Sequence, residues 1–264
     1  MRPAADGLGR TPWLTGRNPT VKLALLFACS AVTLFLLDPV TLAVLYVVAV
    51  LGVAVTTHAG ARRLLVAQLP FVAFGVGLVV VNALSRPGTP VLTGLPVRVT
   101  AEGLVVGLAL ALRTLVIGVL SVGFLLSTPP QLLMTSLTQQ ARLSPRISYA
   151  MLAGYRLLHV LPQQWQTIRD AHAVRAPLDR RGRPAFGPRA FARSAFALLV
   201  VSIRAGERIA LALESRGLGS GPRTTWRPVP LDRRDLLLVL GVVGVVVLVV
   251  VACGSPLLDV VRRG

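Results

Sequence analysis

Two arginines stand at matching offsets in two similar stretches, Ile168-Arg169-Asp170-Ala171-His172-Ala173-Val174-Arg175-Ala176 and Ile209-Ala210-Leu211-Ala212-Leu213-Glu214-Ser215-Arg216-Gly217. Both follow Ile-x-x-Ala-x-x-x-Arg-small. Spacings of three, four and seven put Ile, Ala and Arg on one helical face, so each arginine prolongs an apolar stripe. A guanidinium so placed does recognition chemistry: it offers a fork of N–H donors to a carboxylate or phosphate. One origin of the pattern is the helix C-terminal dipole or lipid headgroups, which favour a basic residue there. The other is a helix end presented to another protein, where the small residue after the arginine admits the partner's backbone.

Bond-making chemistry has little support. His58, His159 and His172 are scattered, and Asp170, two residues from His172, points to a different helix face. No Gly-Lys-Ser/Thr occurs, so there is no glycine-rich phosphate loop. Cys29 and Cys253 lie inside apolar runs, where neither a disulfide framework nor a metal site with neighbouring ligands can be built. No catalytic residue, cofactor site or metal site is expected.

The elements that would carry the two arginines follow from composition. Of 264 residues 54% are hydrophobic and only 14% charged, more apolar surface than one water-soluble core can hide. Apolar runs at about Val21–Leu37, Val40–Thr56, Leu64–Leu84, Gly103–Leu126 and Leu236–Ala252 each approach the roughly 17–25 residues that cross a bilayer. The expected fold is an all-α integral membrane protein of about five transmembrane helices. Asp38-Pro39, Thr57–Arg63 and the Pro- and Gly-rich Ser85–Ala101 separate the first four. Pro70 is expected to shift the start of the third. Leu26-Phe27-Ala28-Cys29 resembles a lipoprotein cleavage site, but the apolar stretch after it reads as the rest of an uncleaved first span.

The net charge of +18 reports orientation. Four basic residues, Arg2, Arg10, Arg17 and Lys22, precede the first span, and Arg62 and Arg63 lie between the second and third; seventeen arginines fall from Arg142 to Arg234, before the fifth. The other face has Arg86, Arg98, Arg262 and Arg263. The N-terminus and the long segment are therefore expected in the cytoplasm and the C-terminus outside, in the inner (plasma) membrane. Nucleic acid is not an expected partner, because aromatics for base stacking are scarce in the basic stretch.

Two further basic residues stand out. Arg113 lies within the fourth apolar run, where a central arginine costs roughly 2.5–3.5 kcal/mol on insertion scales, so it is expected to face protein. It either pairs inside the bundle, snorkels, or touches a partner subunit. Lys22 is the only lysine among 28 basic residues, which hints at a site that arginine will not serve.

Between the fourth and fifth runs the composition changes to amphipathic stretches broken by prolines. The chain is read as 1–126, an N-terminal arm and four spans; 127–235, a cytoplasmic helical domain; and 236–264, the last span and tail. From Ile147 the positions Met151, Gly154, Leu158, Leu161, Trp165 and Ile168 follow one helical face, with Pro162 as a kink or restart. A second helix reads from about Pro188 to Arg216. Ala176-Pro177 and Gly217 are the stop signals, the latter suited to a left-handed C-cap.

With these motifs the chain resembles the transmembrane T component of energy-coupling-factor transporters, the cobalt-transport-type permeases. That family carries two short Ala-Arg-Gly motifs at the ends of two cytoplasmic coupling helices. The second is matched by Ala212 to Gly217, within Ser202-Ile203-Arg204-Ala205-Gly206-Glu207-Arg208-Ile209; the first, around Ala171 to Ala176, keeps the arginine but reads Val174-Arg175-Ala176. Asn18-Pro19-Thr20-Val21-Lys22, Leu112-Arg113-Thr114-Leu115, Leu126-Ser127-Thr128-Pro129 and Tyr155-Arg156-Leu157-Leu158-His159 extend the resemblance in the expected order.

The resemblance implies a mechanical function. Two ATP-binding cassette ATPases would dock on Ala171, Val174, Arg175, Ala176, Ala212, Ser215, Arg216 and Gly217. A separate small membrane subunit would bind the substrate, a vitamin or transition metal, and be tipped to release it inward. Lys22 and Arg113 are candidate intramembrane or partner contacts. Two rivals are a permease that binds substrate itself, with Arg113 or Asn82 in the path, and a membrane enzyme acting on anionic lipid through the arginine-rich segment.

Overall fold

In hydrocarbon each backbone N–H and C=O must be paired within the protein, which leaves a helix as the default for an isolated apolar run. The computed structural model describes residues 13–57, 60–89, 99–176, 187–218 and 228–253, and it is all helical. After a 3-10 turn at Trp13–Gly16 come α1 (Pro19–Leu34), α2 (Pro39–Thr57), α3 (Ala61–Ser85), α4 (Ala101–Ser127), α5 (Pro130–Gln140), α6 (Pro145–Ala173), α7 (Pro188–Ser215) and α8 (Arg233–Ala252).

Four helices, α2, α3, α4 and α8, are long and apolar enough to cross a membrane. The protein is a multi-pass membrane protein. The first expected span appears as the 16-residue α1, roughly 24 Å long against a hydrocarbon core of roughly 30 Å.

Local sequence explains the helix starts. Asn18 caps α1, its side chain accepting the Thr20 N–H at 3.0 Å, with Pro19 in the first turn. Asp38 accepts the Thr41 N–H at 2.8 Å and the Thr41 hydroxyl at 2.5 Å at the start of α2. These bonds, the side-chain one foremost, hold the Asp38 carboxyl below its ordinary range. Pro70 does not shift the start of its helix, and Pro162 does not restart its own. α3 begins nine residues before Pro70 and runs through it, as α6 runs through Pro162; flanking turns with their own bonds carry each helix past the missing one. The short helix α5 was not anticipated. It has 11 residues and lies between the breaks at Thr128-Pro129 and Pro145.

The chain divides into two compact units, Met1–Pro129 with Pro230–Gly264, and Pro130–Val229. In the first, α3 and α4 pack most closely, through glycine. A Cβ added at Gly107 would lie 2.8 Å from the Val79 Cα, and one at Gly103 2.9 Å from the Ala83 Cα. The core comprises Leu36, Leu42, Leu45, Ala109, Val116 and Val249, with a second cluster at Val53, Leu64 and Val119. Leu65, Leu69 and Phe74 on α3 and Leu237, Leu240 and Leu248 on α8 are exposed, as lipid-facing residues are.

In the second unit α6 packs on α7. The Trp165 and Phe191 rings meet edge to face at 5.3 Å, while Leu157 and Leu161 approach Val201 and Ala205. Falling numbers on α6 meet rising numbers on α7, so the two helices are antiparallel. α5 joins them through the Thr138 and Ser148 hydroxyls, 2.7 Å apart.

Candidate functional site

Antiparallel packing has a direct effect on the two arginines. Arg175 follows the end of α6 and Arg216 the end of α7, so they stand at opposite ends of the helix pair. Both side chains are exposed, as are Ala171, Ala212 and Ser215; Ala176 and Gly217 are half-buried. Val174, an apolar residue beside Arg175, is 88% exposed.

The two ends, alike in sequence, differ in backbone. Gly217 has φ 76°; its N–H reaches the Glu214 carbonyl at 2.8 Å, and the Leu218 N–H reaches the Leu213 carbonyl at 3.0 Å. These are the paired bonds of a Schellman end, which needs a residue free to adopt the left-handed conformation. α6 ends otherwise. The Arg175 N–H reaches the His172 carbonyl and the Ala176 N–H the Ala173 carbonyl, each at 3.2 Å, in a tightening last turn. Ala176 carries a Cβ and precedes Pro177, so the glycine solution is closed to it.

Lys22 and Arg113 lie in the first unit and are not brought together. The Lys22 ammonium is buried and donates to the Ser127 carbonyl at 2.9 Å, the Leu14 carbonyl at 3.2 Å and the Ser127 hydroxyl at 3.3 Å. Three protons meet three acceptors from two directions, which a compact ammonium can satisfy and a planar guanidinium cannot. The hint carried by a single lysine has this geometry behind it. The buried Asp235 carboxylate supplies the opposing charge.

Arg113 is held by backbone. One guanidinium nitrogen donates to the Leu36 carbonyl at 2.9 Å and the Leu34 carbonyl at 3.2 Å, at the end of α1. Asn82 bonds within its own helix, donating to the Leu78 carbonyl at 2.9 Å and accepting from Arg86 at 3.3 Å. Gln68 escaped the sequence reading. Its side chain is buried in α3 with neither amide atom partnered, and a lone glutamine in an apolar run gives no sign of which way it faces.

Among the described residues no three His, Cys, Asp or Glu are grouped to hold a metal. A cavity of about 380 Å³ lies among α1, α2, α4 and α8, lined by Leu25, Cys29, Val48, Gly52, Leu120, Phe124 and Val245 among others, with Lys22 and Thr56 its polar neighbours. It is apolar.

Comparison with known proteins follows this geometry. The model of the CbiQ family, described as cobalt transport protein, matches residues 10–226. A protein of Bifidobacterium longum (strain NCC 2705) named as an ABC transporter ATP-binding protein is 25% identical over 235 residues, 86% of this chain. The chain spans only 30% of that relative's length.

Proposed function

The chain belongs to the cobalt transport protein family and is a component of a membrane transporter; from that premise we propose that it is the energy-coupling transmembrane subunit of an ATP-driven importer. In this reading two ATP-binding cassette ATPases dock at the ends of α6 and α7. A separate small membrane subunit binds the substrate, a vitamin or transition-metal ion. This chain binds no nucleotide and makes no bond; it carries ATPase motion into the membrane.

The observation that carries the reading is the exposed pair of helix ends, each an arginine behind an apolar stripe, at opposite ends of one antiparallel pair. Two such ends suit two ATPase subunits, and their unequal backbones suit two different chains or two different halves of one. The Bifidobacterium relative supports the same assembly. It carries a region similar to this chain within a polypeptide more than three times the matched length, named for ATP binding. The apolar character of the cavity, and the bonding of Asn82 within its own helix, favour substrate recognition by another subunit over the permease alternative. The proposed setting is the inner (plasma) membrane, with the N-terminus and residues 127–235 cytoplasmic and the C-terminus, beyond the described residues, outside.

The test is coexpression with candidate ATPase and substrate-binding subunits. Copurification of a complex that takes up substrate only with ATP is the expected result. Saturable ATP binding by the isolated chain, or substrate uptake by it alone, would remove the assignment.

A further inference from the structure

The inserted unit Pro130–Val229 is attached to the first unit at two covalent points, and both are held by the same short stretch of sequence. Where the chain leaves, at the end of α4, Ser127 is buried and accepts from Lys22 through its carbonyl and its hydroxyl. Where the chain returns, the Asn18 side-chain amide donates to the Pro230 carbonyl at 3.3 Å. Further on, the Asp235 carboxylate accepts the Asn18 backbone N–H at 3.0 Å and the Asp232 N–H at 2.9 Å. Asn18, Lys22, Ser127 and Asp235 are all buried.

α8 already carries its own first-turn bond from Asp232 to Asp235, and α4 ends in an ordinary Thr128-Pro129 break. What the extra bonds add is a common abutment: the exit and the return are both referred to the first turn of α1. The residue just before Pro230 is fixed on the other unit. There the Val229 N–H donates to the Gln139 side chain at 2.9 Å and the Val229 carbonyl accepts from Gln140 at 3.2 Å. Val229 is thus held within the inserted unit and Pro230 within the first.

We propose that Asn18 and Lys22 are positioning residues for coupling, which lock the end of α4 and the start of α8 to α1 so that a displacement of the inserted unit moves all three helices together. Packed, satisfied hydrogen-bond networks are one physical carrier of coupling between distant sites, and here two buried branches meet on the first turn of α1. The inference rests on the reading that the inserted unit receives the ATPases. Lys22 works through its size as well as its charge, because three acceptors converge on one nitrogen.

The experiment uses Asn18→Ala, Lys22→Met and Lys22→Arg in the complete transporter reconstituted in liposomes, reading ATP hydrolysis and substrate uptake in the same preparation. All three are expected to copurify with the ATPases and to hydrolyse ATP, while uptake per ATP falls roughly tenfold or more. Lys22→Arg, which keeps the charge, is expected not to rescue. Hydrogen exchange of the isolated chain gives a second readout that needs no partner. In Asn18→Ala the amides of residues 231–235 are expected to exchange roughly tenfold faster, as for the loss of one buried hydrogen bond. Unchanged uptake per ATP in Asn18→Ala and Lys22→Arg would overturn the proposal, and so would unchanged exchange at residues 231–235. If the unmodified chain fails to bind ATPases, the coupling function itself falls, and exchange still decides whether the clamp exists.

Discussion

The guanidinium of Arg113, midway along α4, lies 2.9 Å from the carbonyl oxygen of Leu36, beyond the end of α1. With the Leu34 carbonyl at 3.2 Å, it gives two backbone acceptors at an early helix end the partners that a longer helix would have supplied. Arg113→Met is expected to lower thermal stability in detergent by about 1–3 kcal/mol, the cost of leaving the Leu36 carbonyl unpaired, since the Leu34 bond is exposed. Arg113→Lys, which can still reach one of them, should fall between. Equal melting of all three proteins would show that water replaces the arginine and that the α1 end is solvated.

Arg175 and Arg216 are expected to anchor the ATPases, with Arg216 dominant because Gly217 lets a partner's backbone come close. Breaking a desolvated charge pair costs roughly 2–5 kcal/mol, against about 0.3–1 kcal/mol for an exposed arginine at a helix end. Arg216→Glu should therefore abolish copurification, Arg175→Glu weaken it, and the double variant stop uptake, with membrane insertion normal. A double variant that assembles and transports at the unmodified rate reduces both residues to helix caps.

Gly206 within α7 and Gly217 just beyond its end should respond with opposite signs. Gly217 has φ 76°, so Gly217→Ala is expected to destabilise the helix end by about 1 kcal/mol and to weaken ATPase binding. Gly206 sits in the helix interior with nothing within 4 Å of an added Cβ. Gly206→Ala should stabilise by roughly 0.4–1 kcal/mol. A Gly217→Ala protein that melts at or above the unmodified one would refute the left-handed cap.

Sidedness is tested with single cysteines at Arg181 and Thr89, after replacing Cys29 and Cys253. Position 181 should react with an impermeant maleimide only in inverted vesicles, and position 89, next to Glu102 at the start of α4, only in intact cells. Reaction at 181 in intact cells reverses the orientation.

How far the sequence carried these conclusions depends on how local each determinant is. Spans α2, α3, α4 and α8 could be read from composition alone, because hydrocarbon imposes one solution on an apolar run. Gly217 could be read as a left-handed cap because that conformation is a property of one residue. The different ends of α6 and α7 were partly legible, since Ala176 replaces a glycine. The carbonyls that hold Arg113 were not. They depend on where α1 stops relative to the middle of α4, which packing sets. Lys22 stood out by its rarity, yet its acceptors come from Leu14 and Ser127, 8 and 105 residues away, separations that no local pattern records.

Since Lys22 is the only lysine in the chain and all three of its ammonium protons are committed, the protein's only side-chain amine is protected from acylation. It can be acylated only when the α1–α4 junction opens and Nζ sheds a proton. The rate at which an activated ester modifies Lys22 is then a clock for that opening, readable by mass on the unaltered polypeptide. Amine-directed crosslinkers and biotinylation reagents would in turn leave the surface of this subunit unmarked at its side chains, and a crosslink appearing at Lys22 during ATP turnover would date the moment the junction parts.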